Sequence, residues 1–255
     1  MIRLTDYPGL VFVLAILTQG LAVGIGAALL RQRFRLDDGT REDFGVIQAA
    51  TLTLLGLIIG FTFSMAAGRY DQRKNLEEEE ANAIGTEYLR VDLLPPPDAA
   101  KIREVLLHYL DARIEHYSVR DAHRVEAINI ETGKLQAELW AAIKGPAVAA
   151  PTPLSAVAIE GMNDVLNTQG YAQAAAWNRI PPSAWTLMLA IAMCANVLVG
   201  IGSRNPRGGS RLLLIIPFVI SLAFALIADI DSPRGGLIRV KPQNLISLSQ
   251  SLRPG

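Results

Sequence analysis

The chain has 255 residues, 51% of them hydrophobic and 19% charged, with a mean hydropathy of +0.29. A water-soluble domain of that length is usually less apolar, so composition points to a membrane before any residue is examined. Lys and Arg number 24 and Asp and Glu 24, which gives no support to nucleic-acid binding by bulk electrostatics. The single cysteine, Cys194, sits in an apolar run and excludes a disulfide framework within the chain.

A bilayer core about 30 Å thick takes about 20 apolar residues in a helix. Four runs answer to that length: 9–30, with Gln19 as its strongly polar exception; 44–68, interrupted by Gln48 and small hydroxyls; 183–202, with Asn196 inside; and 212–229, shorter and carrying Pro217. A membrane helix tolerates proline where neighbours satisfy the freed carbonyl. The first run is too long for a signal-peptide core, and Gly24 to Leu30 leads into Arg31 without a small-x-small cleavage site, so it is expected to remain as a first helix. The expected fold is all-α, with four transmembrane helices arranged two plus two. Residues 1–68 form the first transmembrane pair, 69–181 a helical extramembrane domain, 182–231 the second pair and 232–255 a C-terminal tail.

Four spans place the termini and the long middle segment on one side and the two short loops on the other. The short loops hold Arg31, Arg33, Arg35, Arg41, Arg204, Arg207 and Arg211; the opposite side holds Arg3, Arg69, Arg73, Lys74, Arg179, Arg234, Arg239 and Lys241. The totals nearly balance, while the density of positive charge favours short loops inside.

In the middle segment a helical pattern continues past Arg69 through Gln72, Leu76, Ala83 and Leu89. The run from Glu77 to Glu80 reads as a solvated or subunit-facing surface. Pro95, Pro96 and Pro97 end that helix, and Asp98 is a candidate N-cap for the next. Ile102, Val105, Leu106, Tyr109, Leu110 and Ile114 fall at helical spacing, and Leu135, Leu139 and Trp140 continue a similar stripe towards Ile143. Residues 145–153 read as a Pro/Ala-rich connection, followed by an amphipathic helix from about Leu154 to Asn178. His108, His116 and His123 lack the carboxylate and histidine spacing of a zinc site, so packed or surface roles are expected for them and no metal. No catalytic constellation stands out, so an enzyme is not expected.

The second span is the most patterned. Gly56, Gly60, Ser64 and Gly68 recur every four residues, and small residues at that interval let another helix approach closely. Gly20 and Gly24 repeat the device on the first span. Packing inside one subunit is the simplest use of this ladder. Thr53, Leu57 and Phe61 stand four apart and share a neighbouring face. In several copies around an axis they would stack as rings, apolar enough to gate by dewetting and, through phenylalanine ring edges, favourable to anions. Lipid contact or core packing would give the same periodicity.

Gly60-Phe61, followed eight residues later by Arg69-Tyr70, resembles the second span of bestrophins, where a Gly-Phe pair precedes Arg-Trp-Trp at the same distance. Ile180-Pro181 with Trp185 is similar to the start of their third span. The acidic residues and Pro-x-Gly turn that close their fourth have a counterpart in Asp229, Asp231, Pro233 and Gly235. More closely, the stretches from Gly60 to Ser64, Arg69 to Arg73, Glu80 through Asn82 to Gly85 and Pro233 to Val240 resemble a bacterial family of unknown function called bestrophin-like.

The resemblance implies a pentameric anion or ion channel in which the second span lines a neck through Phe61, Leu57 and Thr53. Thr53 departs from the apolar residue usual there, which implies a shorter or wetter neck at that end. Arg69 and Tyr70 keep the arginine and one aromatic of the motif. The acidic calcium clasp of animal bestrophins is replaced by the basic and apolar run from Gly236 to Lys241. No metal or cofactor is therefore implied, and Asp229 and Asp231 are expected to be interfacial residues. The implied partners are membrane lipid, further copies of the chain and small anions such as chloride, with no nucleic acid. The implied location is the cell inner membrane, with both termini and the middle segment cytoplasmic, against the arginine density of the short loops. The alternative reading is a non-conducting membrane scaffold or signalling protein whose helical middle docks a partner.

Overall fold

The computed structural model describes residues 4–30, 37–203 and 211–253. Arg3, Arg31, Arg33, Arg35, Arg204 and Arg207, part of the charge count, lie outside the described residues. The elements are α1 (Pro8–Ile25, continued by a π-helical turn, Gly26–Leu30), α2 (Asp38–Arg90), α3 (Pro96–Ser118), α4 (Ala122–Ala149), α5 (Pro153–Trp177), α6 (Pro182–Gly202), α7 (Ile215–Asp231) and α8 (Gln243–Leu252). Among the described residues there is no strand. Among the described residues four helices are long and apolar enough to cross a bilayer, and the chain is a multi-pass membrane protein.

Two compact units divide the chain: Met1–Arg69 with Arg179–Arg239, and Tyr70–Asn178 with Val240–Gly255. The 53 residues of α2 supply a segment to each, a helix about 80 Å long at 1.5 Å per residue.

In the first unit α1 packs on both α6 and α7. The close approach is made by Gly26 and Gly200. A methyl group on Gly26 would lie 2.2 Å from the Val197 carbonyl oxygen, and one on Gly200 would lie 2.2 Å from that of Val23. The expected pair, Gly20 and Gly24, has no atom within 4 Å of such a methyl, so the small-residue contact sits one step later, at the π-helical turn. Three buried polar side chains then tie the spans together: Asn196 Nδ2 donates to Gln19 Oε1 (3.0 Å) and Gln19 Nε2 to Ser221 Oγ (3.3 Å). Such contacts in a bilayer are worth about 0.6–1.7 kcal/mol each. Pro217 needs no rescue of a freed carbonyl, because α7 begins at Ile215 and places it in the first turn.

In the second unit α3 and α5 both pack on α4, around a core that includes Ile84, Ile102, Leu106, Leu110, Leu139, Ile143, Met162 and Val165. Several local expectations need correction. Pro95 is the N-cap of α3, with Pro96 in its first turn, so Asp98 lies inside the helix rather than capping it. Helix α4 runs through Pro146 to Ala149, which shortens the expected connection to 150–152. Thr152 and Ser155 then form a capping box at the start of α5. Leu139 is buried, but Trp140 points outward.

The largest departure concerns the acidic run. Glu78 and Glu79 are exposed, whereas Glu77 and Glu80 are buried. Glu77 accepts from the backbone N–H groups of Asn244 (3.0 Å) and Leu245 (3.1 Å), so a carboxylate from α2 caps the first turn of α8. Glu80 accepts from Arg113 Nε at 2.5 Å and from the Tyr117 hydroxyl at 3.1 Å. The inward face of this part of α2 therefore holds Arg73, Glu77, Glu80, Ile84 and Glu87, while Gln72 and Leu89 face outward.

Candidate functional site

The apolar part of α2 is the least covered of the spans. Only 6% of its apolar window is buried within the chain, against 33–44% for the other three. Its buried positions are Leu55, Thr62 and Ala66. At about 100° per residue these define one stripe, and Thr53, Leu57 and Phe61 fall roughly opposite it. Phe61 is 65% exposed and Leu57 54%. The three side chains share one outward face, turned from the chain's own helices.

Thr53 has a local partner. Its hydroxyl donates to the Ala49 carbonyl oxygen one turn back, at 2.9 Å. With its only proton engaged, the side chain presents oxygen lone pairs and a methyl group outward. Leu57 and Phe61 offer apolar surface, with the weakly positive edge of the phenyl ring as their one electrostatic feature.

The small-residue ladder differs from the expectation of packing inside one subunit. Methyl groups on Gly56, Gly60 or Gly68 would meet nothing within 4 Å, and Ser64 is exposed. The covered face of the span is instead the stripe of Leu55, Thr62 and Ala66. The ladder and the Phe61 stripe thus share the uncovered half of α2.

At the end of this span Arg69 does have a partner. Its guanidinium lies 3.6 Å from Asp231 at the end of α7. Asp231 is fully buried and accepts from Arg179 Nε (3.0 Å) and from the Ile180 backbone N–H (3.1 Å). Arg179 also donates to Asp6 (2.8 Å), and the Ser232 hydroxyl bonds Asp6 at 3.3 Å. One carboxylate therefore joins α2, the start of α6 and the end of α7, and Arg179 adds the N-terminal turn.

Asp229 does separate work. Its two oxygens accept from the backbone N–H groups of Leu237 (2.7 Å) and Ile238 (2.8 Å), closing the turn that follows Pro233. Gly235 and Gly236 permit that closure. Methyl groups there would lie 1.9 Å from the Asp6 carbonyl oxygen and 2.4 Å from Asp229 Oδ1. The acidic and glycine positions of this motif are thus explained by packing and hydrogen bonding inside the unit.

Of the remaining motif residues, Tyr70 is half-buried and Asn82 exposed, both in the second unit. Asn82 lines an open groove of about 740 Å³ between α2 and α8, beside Gly85, Leu89, Ser247 and Leu248. The histidines are not brought together: His108 is exposed on α3, His116 is buried against the Tyr117 ring, and His123 is exposed on α4. Among the described residues no group of His, Cys, Asp and Glu forms a metal-binding cluster.

Sequence reasoning missed Arg179 and Asp6 as anchors and Glu80 and Arg113 as a buried pair. Arg179, one residue before Ile180-Pro181, was the accessible signal, since an arginine beside a span needs a counter-charge. The 33-residue separation of Glu80 from Arg113 left no local pattern to read.

A family model of the bestrophin-like domain matches residues 13–245. No curated protein matches the chain. The structure is similar to a crystal structure of a bacterial bestrophin homolog from Klebsiella pneumoniae, with a TM-score of 0.62 and 14% identity over 94% of this chain and 97% of that one. A point variant of the Klebsiella pneumoniae homolog gives a TM-score of 0.63 at 13% identity, covering 95% of each chain. At such identities the likeness speaks for the fold, and the matched domain speaks for the family. The chain belongs to the bestrophin-like family.

Proposed function

We propose that the chain assembles into a homo-oligomeric, pentameric anion channel whose axis is lined by α2. Phe61, Leu57 and Thr53 would form stacked rings, with the small ladder of Gly56, Gly60, Ser64 and Gly68 beside them against the next copy. The observation that carries this reading is the bareness of α2, whose apolar window is 6% buried within one chain. An apolar helix left open by its own subunit needs lipid or further copies of itself. A glycine-rich stripe suits close helix approach better than lipid.

Anion preference would rest on the Phe61 ring edges, since the Thr53 proton is engaged by Ala49. The family and fold are of channel type, and on that basis we read the chain as non-enzymatic. We place it in the inner membrane with the helical unit and both termini cytoplasmic. The scaffold alternative needs a docking surface on the helical middle, and the burial of Glu77 and Glu80 takes two of the four acidic side chains of the 77–80 run out of any such surface.

The test is reconstitution into liposomes, with chloride efflux and oligomer mass measured together. A ring of copies that passes chloride, with conductance or selectivity altered by Phe61→Ala, supports the reading. A monomer without flux sinks it and leaves the scaffold reading in its place.

A further inference from the structure

Glu87 lies beyond the apolar run of α2, inside the helical unit, and nothing in the channel reading uses it. Its side chain is fully buried, and neither carboxyl oxygen has a hydrogen-bond partner. Gly161 of α5 and the Arg90 side chain lie against it. A methyl group on Gly161 of α5 would lie 2.0 Å from Glu87 Oε2 and 2.6 Å from an Arg90 guanidinium nitrogen. Glycine is therefore the residue that lets α5 seat on the carboxyl.

We propose that Glu87 is a proton-controlled latch between α2 and α5: protonated, it sits dry against Gly161, and when it ionises it releases α5.

The charged groups around it only partly offset the charge of an ionised Glu87. Arg90, one turn along the same helix, is within 3.8 Å of Asp164 on α5, so its charge is shared. Asp164 itself opposes a second negative charge nearby. Arg103 on α3 is occupied by Asp92 and the Tyr88 carbonyl. Glu160 on α5 is exposed. Burial is the largest influence and raises the carboxyl from 4.5 to about 8, with Arg90 lowering it and Asp164 raising it further.

The direction of the switch follows from linkage. A released, solvated Glu87 titrates near 4.5, whereas the latched form keeps its proton to about 8. Between those values the latched form binds more protons, so rising pH favours release by up to about tenfold per pH unit. Above about 8 both forms are ionised and the effect levels off.

The test is hydrogen exchange of α5 in the full-length protein, comparing wild type with Glu87→Gln at matched pH so that the intrinsic exchange rate cancels. At about pH 4, below both values, the two should protect α5 alike. At about pH 9 wild-type α5 should exchange at least about tenfold faster than the variant. Gly161→Ala should push the carboxyl into solvent, leaving α5 weakly protected at both pH values.

Infrared difference spectra provide a readout that does not depend on the variants folding well. A protonated-carboxyl C=O band should be present in wild type at about pH 6, lost at about pH 9, and missing from Glu87→Gln. The same pH response in wild type and Glu87→Gln, a retained response in Gly161→Ala, or no such band would overturn the latch. None of these readouts requires ion flux, so the latch and the channel reading fail separately.

Discussion

Arg113 and Glu80 are sealed from solvent, and each depends on the other for charge balance. Burial pushes the Tyr117 phenol above its usual value, with the Glu80 charge adding to the effect, so its hydroxyl keeps its proton and can go on donating to that carboxylate. Removing one member of such a pair leaves an uncompensated charge, which costs about 3–5 kcal/mol. Glu80→Ala is expected to destabilise the protein by that amount, read from chemical denaturation in detergent. Replacing both members, as Glu80→Leu with Arg113→Met, should recover most of the loss. The exposed pair between Arg253 and Asp111 is a useful contrast, because breaking it with Asp111→Ala should change stability by less than about 1 kcal/mol.

Elements in this fold are held where side chains remote in sequence meet their ends. Glu77 caps α8 from 167 residues away, and Glu77→Ala should expose the first turn of α8. The expected cost is about 0.5–2 kcal/mol, seen as faster amide exchange confined to 243–252. Close helix approach is equally specific. Gly200→Ala would set a methyl against the Val23 carbonyl and the Ala27 amide nitrogen, backbone atoms that cannot turn aside. Overpacking of that kind costs about 1–3 kcal/mol, so a lower melting temperature and poorer yield are expected. Gly60→Ala should leave the fold of one chain intact and weaken assembly, which light scattering in detergent would resolve.

The same elements explain what was legible beforehand. Spans are encoded by length and apolarity alone, so four of them, and the helical character of the rest, could be read from local pattern. Thr53, Leu57 and Phe61 were legible as a shared face because helical periodicity fixes which residues align. Which face a neighbour covers depends on residues far along the chain. For that reason glycines at 56 and 60 looked like packing positions within the chain, while the contact that requires glycine is made by Gly26 and Gly200. Charge misled for a related reason: a glutamate run reads as solvated until the arginine and amide groups that meet it are in place.

At the scale of the whole molecule the outstanding fact is the uncovered half of α2, which carries both the ladder and the Phe61 stripe. Lipid and a ring of copies make different demands on that surface. Against lipid, a charged group attached at position 61 would be strongly unfavourable and would not reach any ion path. On a water-filled axis it would sit in every conducting path. The lone native thiol, Cys194, is exposed on α6 and can be removed as Cys194→Ser to give a silent background. In that background Phe61→Cys should react with a water-borne cationic thiol reagent, and reaction should change chloride conductance or its selectivity over sodium. Phe63→Cys supplies the comparison, being also exposed in the chain but about 160° around the helix from Phe61. Blocking at both positions would point to a general effect on the bilayer, and labelling at neither would return α2 to lipid. Modification that acts through position 61 alone is the result that puts this stripe on an axis.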